Sequence, residues 1–254
     1  MEPGPQIRVV SYNIHSSRDD LHALASVVRD LAPDVLVVQE GPRRFRWRGR
    51  CARLAQACQL VYAVGGLPAL GNLVLTSFRV RVHDTWSLQF PLTPGRHMRG
   101  AAFATCSVGR VPFAVAGSHL STDPAERPRQ AALLKKAMAE VDLPLVLGAD
   151  LNEGSGGDAW RTVAEGLVDA AAHDTAAHAA AAHDTAAAHD VAGRPGAAER
   201  ATFSCAHPRE RIDVLLTDPR IQVVRYDVVD TDQARRASDH FPVMADLILP
   251  AAPN

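Results

Sequence analysis

The sequence lacks the charge excess by which proteins hold nucleic acid without a specific site. Over 254 residues, 27 Lys and Arg stand against 28 Asp and Glu, a formal net charge of −1. A polyanion-binding field spread over the whole molecule is therefore excluded, and any phosphate contact has to come from a local patch. Cysteine is scarce as well. Cys51, Cys58, Cys106 and Cys205 have no metal-ligand spacing and suggest no disulfide framework. Cys51 and Cys58 instead suit one buried helix face. No apolar run approaches the roughly 18 residues of a membrane-spanning helix. Met1 to Gln6 has neither the basic start nor the apolar stretch of a secretory leader. A soluble cytoplasmic protein without a membrane anchor is the expectation.

What is present is core. Hydrophobic residues make up 47% of the chain, enough for one large α/β domain or two small ones. The stretch that organises it is residues 143–153. Leu145, Val146 and Leu147, bounded by Pro144 and Gly148, read as a fully buried strand. Asp150 and Asn152 follow at once. In an extended segment residues i and i+2 point to one side, so the two polar heads can converge on a ligand. The alternative is a capped strand end, with Asp150 satisfying loop amides.

Taken in order, residues 7–12 predict a first strand ending at Asn13 and His15. A helix follows, capped by Asp19 or Asp20, with Leu21, Leu24, Val27 or Val28, and Leu31 at helical spacing until Pro33. Residues 34–39 are a second buried strand that ends in Glu40. Residues 42–53 hold six arginines interleaved with Phe45 and Trp47. They read either as a solvated helix start, with Cys51, Leu54 and Cys58 inward, or as a phosphate-binding patch beside Glu40. Strands are expected at 60–66, 71–76 and 79–88, and a hairpin at 101–108 and 111–116 across Gly109-Arg110. The hairpin leads to His119. A helix at 127–140 turns Leu133, Leu134, Ala137 and Met138 inward. Residues 170–200 are an alanine–histidine repeat of low complexity, with His173, His178, His183 and His189 at spacings that fit neither helical stacking nor a zinc finger. An insertion over about 171–198, poorly ordered or only weakly helical, is expected. Strands return at 211–216, 221–229 and 243–249, the last preceded by Ser238-Asp239-His240.

Asn13, Glu40, His119, Asp150, Asn152, Asp213, Asp239 and His240 thus all fall at or near strand ends, where a sheet rim can gather them into one site. Carboxylates and carboxamides without cysteine suit a hard divalent ion such as Mg²⁺. Histidines beside carboxylates suit proton transfer near neutral pH.

The motifs Ser-Tyr-Asn-Ile, Val-Val-Gln-Glu, Gly-Asn-Leu-Val-Leu, Ser-His-Leu-Ser, Gly-Ala-Asp-Leu-Asn, Arg-Ile-Asp-Val-Leu and Ser-Asp-His-Phe-Pro-Val, in this order, resemble the endonuclease/exonuclease/phosphatase superfamily. The resemblance runs from about residue 7 to 249. It implies a four-layered α/β sandwich, two mixed sheets packed face to face with flanking helices, as a single domain over 1–254 interrupted by the insertion. It also implies a Mg²⁺-dependent phosphoesterase, with Mn²⁺ as a substitute. Glu40, Asn13 and Asp239 match its metal ligands. Asp150 and Asn152 match residues that orient the attacking water and hold the phosphate. His240, paired with Asp213, matches the partnered histidine, and the pattern leaves open whether Asp150 or His240 takes the proton. His119 matches a residue that assists the leaving group. Arg99 and Asn72 match substrate-binding positions. The implied partner is a phosphate-ester substrate, nucleic acid included, and the implied state a monomer. Two other classes stand beside this one: an inactive scaffold of the same fold, and a histidine-rich metal-storage protein built on 173–189.

Overall fold

The computed structural model describes residues 4–173 and 200–251. The expected insertion at 171–198 therefore lies outside the described residues, apart from 171–173, which are helical. Twelve strands among the described residues form two six-stranded sheets. The first contains β1 (Gln6–Asn13), β2 (Val35–Gln39), β3 (Val61–Gly65), β4 (Leu73–Thr76), β11 (Gln222–Val228) and β12 (Val243–Ile248), in the order β11-β12-β1-β2-β4-β3. The second contains β5 (Arg81–Gln89), β6 (Gly100–Val108), β7 (Val111–His119), β8 (Leu145–Asp150), β9 (Val168–Asp169) and β10 (Asp213–Thr217), in the order β5-β6-β7-β8-β10-β9. Both sheets are mixed. β1 pairs parallel with β2 and β7 parallel with β8, while their other neighbours run antiparallel.

Helices cover the outer faces. α1 (Leu21–Leu31) packs with α5 (Asp232–Ala237), and α3 (Arg127–Ala139) packs with α4 (Asp158–Ala164). α2 (Trp47–Ala57) leans on β3. Asp20 caps α1 by accepting from the amides of His22 and Ala23, and Ala32 ends it in the left-handed region just before Pro33. One helix expectation is corrected: Leu21 is 52% exposed, because the buried stripe of α1 runs through Leu24, Val27 and Val28. The architecture is the four-layered sandwich.

Strand periodicity decides what faces what. In β8, Leu145, Leu147 and Ala149 pack with Leu134, Trp160 and Val163 of the α3–α4 layer. Val146, Gly148 and Asp150 therefore face the other sheet. β1 and β2 answer with Ser11 and Val37, whose side chains meet Gly148, so Asn13 and Gln39, two residues on, face inward as well. Gln39 Nε2 donates to Ser11 Oγ and across to the Gly148 carbonyl. β1 and β12 are further pinned by Arg8, which donates to both carboxylate oxygens of Asp246 at 2.7 and 3.0 Å.

The parallel pairs carry their C-terminal ends to one rim. β1 ends in Asn13, β2 runs into Glu40, β7 ends in His119 and β8 ends in Asp150. β10 starts at that rim with Asp213, paired in register with Asp150, and His240 lies just ahead of β12.

Gly117 and Gly148 sit side by side in the β7–β8 register and let Val37 come close. A Cβ on Gly148 would lie 2.9 Å from Val37 Cβ and 3.0 Å from Ser11 Cβ. Gly148→Ala is therefore expected to overpack the sheet interface and cost about 1–3 kcal/mol. Urea unfolding measures this, and an unchanged midpoint would show that the sheets are free to separate.

Candidate active site

Asp150 is the centre of the site. It is 1% exposed, and its carboxylate is held from several directions. Asn13 Nδ2 donates to Oδ2 at 2.9 Å, and the Asn152 amide donates to Oδ1 at 2.9 Å. His119 Nε2 lies 3.2 Å and His240 Nε2 3.9 Å from Oδ2. Burial, and then the neighbouring Asp213 charge, push the carboxyl up to about 6, against the pull of His240 and the Asn13 and Asn152 donors. The convergence of Asp150 and Asn152 arises differently from the sequence expectation. The strand stops at Asp150, and Asn152, at φ 50°, folds its amide back in a left-handed turn.

His240 Nδ1 contacts Asp213 Oδ2 at 2.8 Å. Burial alone would lower this imidazole, but the Asp213 carboxylate, by charge and by hydrogen bond, outweighs burial and raises it to about 10. Two neighbours that sequence reading passed over hold the pair. Thr202 Oγ1 accepts from the amides of Ile212 and Asp213, and the Phe203 ring lies 4.7 Å from the His240 ring. Ser238 Oγ donates to the Asn13 carbonyl and accepts from the His240 amide. No spacing in the sequence links 202–203 to the site. The Phe203↔His240 bridge does so only in three dimensions.

His119 is set the opposite way. Arg99 Nη1 donates to its Nδ1 at 2.9 Å, so the ring hydrogen sits on Nε2, facing Asp150. Burial, and then the Arg99 charge, hold this histidine well below its usual range, so it is neutral. The Asn152 carboxamide nitrogen donates to the Leu120 carbonyl beside this ring.

The expected metal-binding residues line the same cleft. Glu40 adopts φ 55° and accepts from Ser16 Oγ at 2.9 Å. Asp239, with its side chain 37% exposed, faces His15 Nε2 at 3.8 Å. Asn13 Oδ1 accepts from the His15 amide. These hard oxygens fit Mg²⁺ or Mn²⁺. A second grouping, Asp150, Asp213 and His240, offers three potential ligand atoms within 4.8 Å of one another. In it Asp213 and His240 are already hydrogen-bonded to each other at 2.8 Å and one ligand is an imidazole nitrogen, whereas the set at Glu40 offers only the oxygens a hard ion prefers.

Asn72 and Arg99 are placed unlike simple substrate contacts. Asn72 is buried outside the cleft lining, and its nitrogen donates to the Ala69 and Gly100 carbonyls. It braces the start of β6, just after Arg99. Arg99, 8% exposed, lines the cleft but spends Nη1 on His119. The cleft encloses ≈ 620 Å³, and the arginines Arg18, Arg43, Arg44, Arg50 and Arg99 share it with the carboxylates Glu40, Asp150 and Asp239.

Two mixed sheets packed face to face, with acids and histidines gathered at one rim, define an α/β sandwich with its polar site at the strand ends. Residues 10–240 match the model of the Endonuclease/Exonuclease/phosphatase family, and the chain belongs to that family. The fold is similar to that of the endonuclease/exonuclease/phosphatase from Beutenbergia cavernae, at 25% identity and a TM-score of 0.68, covering 98% of this chain and 72% of that one. It is similar to the Bacteroides thetaiotaomicron mannosyl-6-phosphatase at 16% identity, TM-score 0.73, with 96% and 100% covered. D. rerio TDP2, solved with a single-strand DNA product, matches at 15% identity, TM-score 0.70, with 95% and 98% covered. No curated protein matches the sequence. No helix among the described residues is long and apolar enough to cross a membrane.

The raised His240 has a consequence for stability. A histidine whose folded value lies above its ordinary 6.5 contributes stability that is whole below 6.5 and lost as pH rises toward about 10. The difference in melting temperature between wild type and His240→Asn should therefore shrink from pH 6.5 to 10. A difference independent of pH would mean that His240 is uncharged in the fold.

Proposed function

We propose that the protein is a divalent-metal-dependent phosphoesterase, which cleaves a phosphate ester by attack of water activated at Asp150. The observation that carries this reading is Asp150 itself, a buried carboxylate between two histidines of opposite electrostatic setting, at the floor of an arginine-lined cleft. A carboxyl raised toward neutrality is a competent proton acceptor near pH 7. His240, held charged by Asp213, is the poorer base and the better electrostatic support, so the proton is assigned to Asp150. Glu40, Asp239 and Asn13 would hold Mg²⁺ or Mn²⁺, which supplies positive charge to the phosphate oxygens when bound. Asn152 stands beside Asp150 to orient the phosphate. His119, neutral and presenting Nε2–H, acts as a hydrogen-bond donor toward the departing oxygen rather than as a charged acid. Two structural relatives, a mannosyl-6-phosphatase and a protein solved with a single-strand DNA product, bracket the substrate classes to try.

The test is a panel of phosphomonoesters, phosphodiesters, plasmid DNA and RNA with Mg²⁺, run beside Asp150→Ala. Hydrolysis of at least one class should disappear with EDTA, return with Mg²⁺ or Mn²⁺, and be lost in the variant. Activity that survives in Asp150→Ala would remove Asp150 from the chemistry.

The donor role of His119 is tested by leaving group. An alkoxide needs a hydrogen bond as the P–O bond breaks, and a nitrophenolate needs far less. His119→Ala should lose roughly 10²–10³ in turnover on an alkyl ester, the scale for one lost donor at a developing oxyanion, and much less on a nitrophenyl ester. Equal losses on both, with a lowered melting temperature, would make His119 a structural residue.

A further inference from the structure

Resting on the phosphoesterase reading, we propose that the substrate is a small sugar or polyol phosphate carrying a second, non-scissile phosphate, held by Arg44, Arg50 and Arg18. The cleft holds more guanidinium than its known tasks use. Arg99 is committed to His119 Nδ1, and Arg43 donates to the Leu70 and Met98 carbonyls, which fixes the loop after Glu40. Arg18, Arg44 and Arg50 line the same cleft, and their side chains have no hydrogen-bond or ion-pair partner among the described residues. Five arginines line the cleft against the three carboxylates Glu40, Asp150 and Asp239, and a divalent cation with a phosphate dianion would add no net charge, so positive charge is left over. In a protein of net charge −1 such a local excess is what a further dianion would neutralise, and guanidinium forks match phosphate oxygens.

The shape of the site favours a small molecule over a nucleic acid strand. A cleft of ≈ 620 Å³ is of the size that encloses metabolite-sized ligands. Single strands are gripped through bases stacked on aromatic rings. The aromatic residues of the arginine segment do not line the cleft. Phe45, 79% exposed, carries Arg46 on its ring, and Trp47 carries Arg48. Phe203, which does line the cleft, is turned onto His240. The unpartnered wall thus offers charge and hydrogen bonds without a stacking platform.

Binding in EDTA separates this proposal from turnover. Fructose 1,6-bisphosphate and fructose 6-phosphate are titrated by calorimetry into the wild-type protein and into Arg44→Gln/Arg50→Gln. The bisphosphate should bind roughly tenfold more tightly to the wild type. That preference should fall as salt is raised and collapse in the double variant, whose melting temperature should match the wild type because both positions are exposed. Equal affinities in the wild type, or a preference that survives the double substitution, would overturn the subsite. Tighter binding of a 5′-phosphorylated single-stranded hexanucleotide than of the bisphosphate would overturn the small-molecule class. A preference found in a protein that hydrolyses no ester would refute the phosphoesterase reading and leave the anion subsite standing.

Discussion

A buried carboxylate is costly unless other groups meet it, and Asp150 is such a carboxylate. It is met by Asn13 from the end of β1, by His119 from the end of β7, by the turn at Asn152 and by His240 from the approach to β12. None of these segments can move without stripping a partner from a carboxylate that is 1% exposed. The rim of the sandwich is therefore a set of mutually required positions. The close approach at Gly148 serves the same end, since a wider sheet spacing would draw Asn13 away from Asp150.

The two histidines show how one scaffold makes opposite uses of one side chain. His240 meets a carboxylate through Nδ1 and becomes a cation; His119 meets a guanidinium through Nδ1 and is held neutral. The sequence places both at strand ends and says nothing of their partners' sign. Local backbone strain completes the arrangement. His15, Ser16, Ser17, Glu40 and Asn152 all carry positive φ without being glycine. Such conformations persist only where surrounding structure over-determines them, here through Ser16 on Glu40 and Asp150 on the Asn152 amide.

Much of the sandwich was legible in the sequence because its central strands are buried on both faces and read as unbroken apolar runs. The runs at 35–38 and 145–147 are of this kind, and the order of polar strand-end motifs located the rim. The short elements were not legible. β9, α4 and α5 are two, seven and six residues long, too short for a period to declare itself. β7 runs on to His119, three residues past its expected end, because Gly117 and Ser118 carry no apolar signal while still pairing with β8. The arginines at 43–53 left a helix start and a phosphate patch equally open. The structure accommodates both, with α2 beginning at Trp47 and Arg43, Arg44 and Arg50 on the cleft. Asn72, a substrate-binding position by its motif, lies outside the cleft lining with its nitrogen on the Ala69 and Gly100 carbonyls, a placement that depends on which carbonyls lie within reach.

The pairing of β1 with β12 has a consequence in time. Arg8 and Asp246, whose ion pair ties these strands, stand 238 residues apart, and such non-local pairing is the slow kind to form. During synthesis β1 meets its parallel partner β2 early, and waits for β12 until the segment carrying Asp246 has been made. His240 and Asp239 arrive with that same late segment, so a ribosome-bound chain stopped short of it holds the arginines and Asp150 but no completed centre. The rim is therefore assembled only when segments far apart in the sequence have met.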